Sequence, residues 1–105
     1  MTNIYETLSE QIILLNKSAD ELMDKLKSDV DDSKVINEEW LRVNSKYLMF
    51  KAIANKALKD GFNSTDPDEV RLASNIIINE KVYLEKDKMI NYLMENKSSE
   101  FVAVH

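Results

Sequence analysis

The sequence predicts an all-α fold: an elongated antiparallel three-helix bundle with heptad-like cores, able to dimerise into a larger bundle. Two long segments carry apolar residues at alternating steps of three and four, the spacing of bundle and coiled-coil seams. The chain of 105 residues contains only one Gly and one Pro, so it offers few tight turns between long elements. Its length matches one helical domain, 1–105.

The first seam predicts helix A over about residues 3–29. Its members are Tyr5, Leu8, Ile12, Leu15, Ala19, Leu22 and Leu26. Thr2 is the predicted N-cap, with Glu6 in the first turns. The polar segment 30–33 is predicted to end this helix and to cap the next one.

The second seam predicts helix B over about residues 34–60. Its members are Ile36, Trp40, Val43, Tyr47, Phe50, Ala54 and Ala57. Three of them are aromatic, and their place on the seam favours core packing over a cofactor site. Gly61 directly follows the last seam turn, so we expect it to be a left-handed C-cap onto which Phe62 folds back.

A helix start at Asp66 predicts helix C over about residues 67–95. Asp66 is the expected N-cap, the next residue is the proline favoured in a first turn, and Glu69 completes a pattern like the capping box. Residues 97–105 are expected to form a flexible tail. The segment 76–84 is rich in β-branched residues, so a strand hairpin is the alternative to helix there.

Helix C carries more apolar residues than one seam requires. Its main stripe is Leu72, Ile76, Tyr83 and Ile90. A further row, Ile78, Val82 and Met89, lies to one side of that stripe. One interpretation is that helix C is the most buried helix and contacts both others. The other is that Ile78, Val82 and Met89 bind a protein partner or a second copy of the chain, because apolar surplus often marks an interface.

The charge distribution argues against nucleic acid as a partner. The net charge is −5, and a middle segment, 34–61, of net +3 lies between acidic segments of net −5 and −3. Such alternation favours packing of neighbouring helices more than phosphate binding. No run approaches the roughly 20 apolar residues of a membrane-spanning helix. The absence of Cys fits a reducing compartment, so we expect a cytoplasmic protein without membrane contact.

The residues of common catalytic and cofactor sites are scarce. The one His is the last residue, the chain has no Cys, and a single Gly cannot build a phosphate-binding loop. The acidic turn 29–33 alternates like a calcium loop, but the sixth and twelfth loop positions are Lys34 and Trp40 instead of Gly and Glu. We therefore predict no catalytic, metal-binding or cofactor-binding residues.

The predicted function is that of a non-enzymatic protein-binding module, such as a small regulator, inhibitor or assembly factor of the kind that phages and mobile elements encode. Two alternatives stay open. One is a helical magnesium-dependent pyrophosphohydrolase that uses the acids at Asp20, Glu21 and Asp24 with those at Glu38 and Glu39. The other is an acidic inhibitor that mimics nucleic acid and presents carboxylates on one face.

Overall fold

The computed structural model describes residues 3–28 and 33–103, with the side chains of residues 3–28 and 34–96. It contains helices α1 (Ile4–Lys27), α2 (Ser33–Phe62) and α3 (Pro67–Ala103). The helices pack against one another in an elongated bundle of 60 × 21 × 20 Å. The predicted three-helix bundle is therefore confirmed. No strand occurs in the described ranges, so the hairpin alternative for 76–84 is wrong, and a capped helix runs through that segment.

Helix α1 is amphipathic, as predicted. All seven residues of its predicted seam are buried. The N-cap is Asn3 rather than Thr2, because the Asn3 side chain accepts a hydrogen bond of 3.0 Å from the backbone N–H of Tyr5. The helix ends at Lys27, two residues before the predicted end, and the Ser28 N–H donates to the Asp24 carbonyl.

Helix α2 buries its predicted seam except for Val43, which is partly buried and packs against the core. The helix begins at Ser33, one residue before the predicted start. The acidic turn that was predicted to cap it, and that resembles a calcium loop, falls mostly on residues 29–32, outside the described residues.

The predicted left-handed cap at Gly61 is wrong. Gly61 lies inside α2, has no positive φ and is followed by another helical residue. A Cβ atom at this position would lie 2.9 Å from Cε1 of Tyr5 and 3.0 Å from Cβ of Ala73. Glycine is required here because three helices meet closely, with the start of α1, the end of α2 and the start of α3 in contact.

Helix α3 begins as predicted and ends later. The Asp66 carboxylate accepts a hydrogen bond of 3.0 Å from the Asp68 N–H, which confirms the N-cap. Glu69 accepts a hydrogen bond from the Ser64 hydroxyl instead of pairing with the N–H of Asp66. The helix continues to Ala103, so the tail predicted over 97–105 is helical through that residue. Nothing in the sequence after Glu95 is a Gly or Pro that would stop it.

Helix α1, not α3, is the most central element. It packs against both other helices, whereas α2 and α3 have the least extensive contact. Among the side chains of α3 described here, those of residues 67–96, Ala73, Ile76, Tyr83 and Ile90 are buried, fewer than in α1 or α2. Helix C is therefore not the most buried helix, although it contacts both others as that interpretation expected, and α3 leaves a wide face uncovered by the bundle.

Candidate functional site

The three predicted partner-binding residues lie together on the uncovered face of α3. Ile78, Val82 and Met89 are 58%, 41% and 47% exposed, while Ile76 and Tyr83 on the other side are fully buried. Because residues two apart on a helix differ by about 200° in direction, Ile78 lies nearly opposite Ile76. Within residues 3–28 and 34–96, no side chain of the bundle covers this row.

Tyr92 extends the same row and was missed in the sequence. It is 59% exposed and follows Met89 by three residues, so it shares the face of α3. Together with the exposed Glu85 in the middle, these positions continue the 4, 3, 4, 3 spacing of a heptad seam. We call the five residues the outer row: Ile78, Val82, Glu85, Met89 and Tyr92.

Polar contacts with α1 fix the rotation of α3 and hence the direction of the outer row. The buried Asn16 side chain donates to the Asn79 carbonyl over 3.0 Å and to the Ile12 carbonyl of its own helix over 3.1 Å. Next to it, Lys86 forms an ion pair of 3.0 Å with Asp20. The Lys86 side chain thus supplies part of this polar strip between the two helices, whereas Asn79 contributes its backbone carbonyl and its side chain donates to the Asn75 carbonyl within α3.

Aromatic rings join α3 to α2. The Tyr83 ring stacks on Tyr47 with centroids 4.6 Å apart and on Trp40 with centroids 6.4 Å apart. Rings of this size hold the two helices apart, which explains their limited contact. The predicted role of these aromatic residues in the core is confirmed, since Trp40, Tyr47 and Phe50 are all buried.

A polar cluster closes the side of this aromatic stack. The Tyr47 hydroxyl donates to Glu80 Oε1 over 3.0 Å, and Lys51 Nζ lies 3.1 Å from the same oxygen. Two causes raise the pKa of Tyr47: burial, which is the larger, and the neighbouring carboxylate of Glu80. Burial also raises the pKa of Tyr83, and by more than that of Tyr47. Both phenols therefore stay protonated to higher pH than a free tyrosine.

The charged residues near the outer row have both signs. Glu85 and Lys88 form an ion pair of 3.5 Å within α3, and each side chain is 76% exposed. Lys81 lies one residue before Val82, and Glu95 lies three residues after Tyr92, and both are exposed. The surface is therefore an apolar strip interrupted at Glu85, with Lys81, Lys88 and Glu95 along one of its edges.

Two other surfaces are less well formed. On α2, the large exposed side chains Leu41 and Leu48 share a face, but a serine lies between them. Between α2 and α3 lies an open groove of about 420 Å³, with Leu58, Ile77 and Leu84 in its lining and Lys81 at the α3 side. Met49 and Ile53 are also exposed on α2, so that surface has as many large apolar side chains as the outer row. They spread over about 140° of the helix circumference, whereas those of the outer row lie within about 80°.

Two acidic residues of the pyrophosphohydrolase alternative, Glu21 and Glu39, line one small pocket between α1 and α2. Asp20 pairs with Lys86, and Glu39 pairs with Lys25 over 2.9 Å. In the part of the chain that the structure describes, no three acidic, His or Cys side chains are close enough to hold one ion.

Comparison of the chain with protein-family models, curated proteins and solved structures finds no match. Among the described residues, no helix has the length and apolar character needed to cross a membrane.

Proposed function

We propose that the chain is a non-enzymatic protein-binding module and that the outer row of α3 is its binding surface. The observation that carries the proposal is the four large apolar side chains, each 41–59% exposed, aligned on one side of α3. Full burial of such a side chain contributes about 1.5–3 kcal/mol, so covering the exposed half of each gains roughly 1 kcal/mol. A partner that covers all four gains several kcal/mol.

The rest of the bundle supports such a role by holding the surface rigid. Ile76, Tyr83 and Ile90 anchor the opposite side of α3 in the core, and the hydrogen bond from Asn16 sets its rotation. A partner therefore meets a preformed helix face and loses little free energy in ordering it. Recognition of this kind places apolar anchors at steps of three and four residues into the groove or seam of another helix.

Binding assays with two matched variants test the proposal. Immobilised wild-type chain, Val82→Glu and Leu48→Glu are each exposed to extract of the organism that encodes the chain. Val82→Glu puts a charge into the outer row, whereas Leu48→Glu makes the same change at an exposed site on α2. We expect the proteins retained by the wild type to be lost with Val82→Glu and kept with Leu48→Glu. Equal retention by all three, with unchanged self-association, would refute the proposal.

One observation favours a second candidate, an acidic inhibitor that mimics nucleic acid. Glu6, Glu10, Glu21 and Asp24 are exposed and share the outer face of α1, although Lys17 lies among them. Such a face would bind a basic protein with affinity that falls steeply as salt rises. Glu10→Lys combined with Glu21→Lys would abolish that binding, while Val82→Glu would leave it unchanged.

A further inference from the structure

We infer that the outer row pairs with the outer row of a second copy, with the two α3 helices antiparallel about a twofold axis. The inference rests on the proposed function and adds the identity of the partner, its direction and its register. The spacing of the row and the signs of the charges beside it support this pairing.

The spacing of the outer row fits a two-helix seam. Along the row, Glu85 and Tyr92 follow steps of three residues, and Val82 and Met89 follow steps of four. In an antiparallel pair of heptad helices, a residue of the first kind faces a residue of the second kind on the other helix. Placing Glu85 opposite Met89 of the second copy then places Val82 opposite Tyr92 of the second copy. In this register every large apolar residue of the row between Val82 and Tyr92 is covered, and the symmetry covers it twice.

The charges select this direction. In the antiparallel register Glu85 lies next to Lys88 of the second copy, and Lys81 lies next to Glu95 of the second copy. Twofold symmetry repeats both pairs. It also brings the two Lys88 side chains near each other at the axis, where the Glu85 carboxylates of both copies lie beside them. In a parallel pair each residue of the seam would face its own copy, which would bring Glu85 against Glu85 and Lys81 close to Lys86. Like charges in contact disfavour the parallel direction.

The interface is small, which sets the concentration range of the experiment. From Ile78 to Asn96 the helix is about 27 Å long at 1.5 Å per residue. A single pair of helices over that length is at the low end of specific interfaces, so we expect a dissociation constant of about 1 μM or weaker. Light scattering and sedimentation are therefore run from about 0.1 to 500 μM, a range that spans that value.

Disulfide trapping tests the direction directly, because the chain contains no cysteine of its own. Lys88 lies beside the proposed axis, so Lys88→Cys should link rapidly to its own copy under mild oxidation. Val82→Cys alone should link slowly, but should link rapidly to a tagged Tyr92→Cys chain when the two are mixed. Leu48→Cys, exposed on α2, serves as the control and should stay monomeric. Rapid linking of Val82→Cys to itself would overturn the antiparallel direction.

Charge exchange supplies an independent test that does not depend on oxidation. Lys81→Glu and Glu95→Lys should each weaken dimerisation by about tenfold, and the double variant should restore most of it. A double variant weaker than either single variant would overturn the register. A wild type that is monomeric at 500 μM would overturn self-pairing, and the extract assay with Val82→Glu would still decide separately whether the outer row binds another protein.

Discussion

Gly61→Ala should destabilise the bundle, although alanine is normally the better helix former. A Cβ atom at Gly61 would lie 2.9 Å from the Tyr5 ring and 3.0 Å from Cβ of Ala73. Tyr5 cannot turn away freely, because it is buried and its hydroxyl donates to the Ala57 carbonyl over 3.0 Å. Ala73 is fully buried and its Cβ is fixed to the α3 backbone.

Two opposing contributions determine the size of the effect. Replacing Gly by Ala inside a helix stabilises it by about 1 kcal/mol. Overpacking a closely packed site costs about 1–3 kcal/mol, and with both neighbours held in place we take the upper part of that range. The expected net loss is about 1–2 kcal/mol. Urea denaturation followed by circular dichroism measures it, and each kcal/mol should lower Tm by roughly 4–8 °C.

A double-mutant cycle separates close packing from other causes. Ala73→Gly removes one of the two atoms that the new methyl group would meet, so Gly61→Ala should cost at least about 0.5 kcal/mol less in that background. Ala52→Gly, on the exposed side of α2, is the control and should show no coupling. If Gly61→Ala instead stabilises the chain by about 1 kcal/mol, Gly61 is an open helical position and the close contact is wrong.

Three further predictions follow from the core and the caps. Trp40→Ala should cost about 3–5 kcal/mol because Trp40 is 3% exposed and stacks on Tyr83, and native emission already at the solvent-exposed wavelength would contradict this. Since burial raises the pKa of Tyr83 above its unfolded value of about 10, its contribution to stability is complete below that pH and is lost as the pH rises toward the folded pKa. Urea midpoints at rising alkaline pH should therefore fall less in Tyr83→Phe than in the wild type. Asp66→Ala should cost about 1 kcal/mol through loss of the α3 cap, and an unchanged urea midpoint would argue against that cap.

The sequence was sufficient to predict the parts of the fold that depend on periodicity. Both seams and the Asp66 cap are found as predicted, because apolar spacing and local side-chain hydrogen bonds are encoded within a few residues. The role of Gly61 was not predictable in this way. Its neighbours Tyr5 and Ala73 are distant in the chain, and a glycine after a seam looks the same whether it ends a helix or allows two other helices to approach.

The candidate site, like the fold, could be predicted from the sequence only in part. Sequence spacing alone placed Ile78, Val82 and Met89 on one face, and the structure leaves all three exposed. Tyr92 continues the same spacing, but the sequence does not show where, around the circumference of helix C, the core-facing side ends and the exposed side begins. The structure supplies this limit through the contacts of Asn79 and Lys86 with α1, which depend on residues more than 60 positions earlier in the chain.

The two apolar rows of α3 have a common explanation in its position at the edge of the bundle. The core row faces α1 and α2, and the outer row faces away from them, so the helix has apolar residues on opposite sides. A helix of this kind is normally covered on both sides. Covering the outer row gains several kcal/mol, which is a substantial fraction of the 5–15 kcal/mol that typically stabilises a whole domain. A gain of that size accounts for a row of exposed apolar residues that the folding of a single chain does not require, and Val82→Glu should abolish most of it without loss of helix.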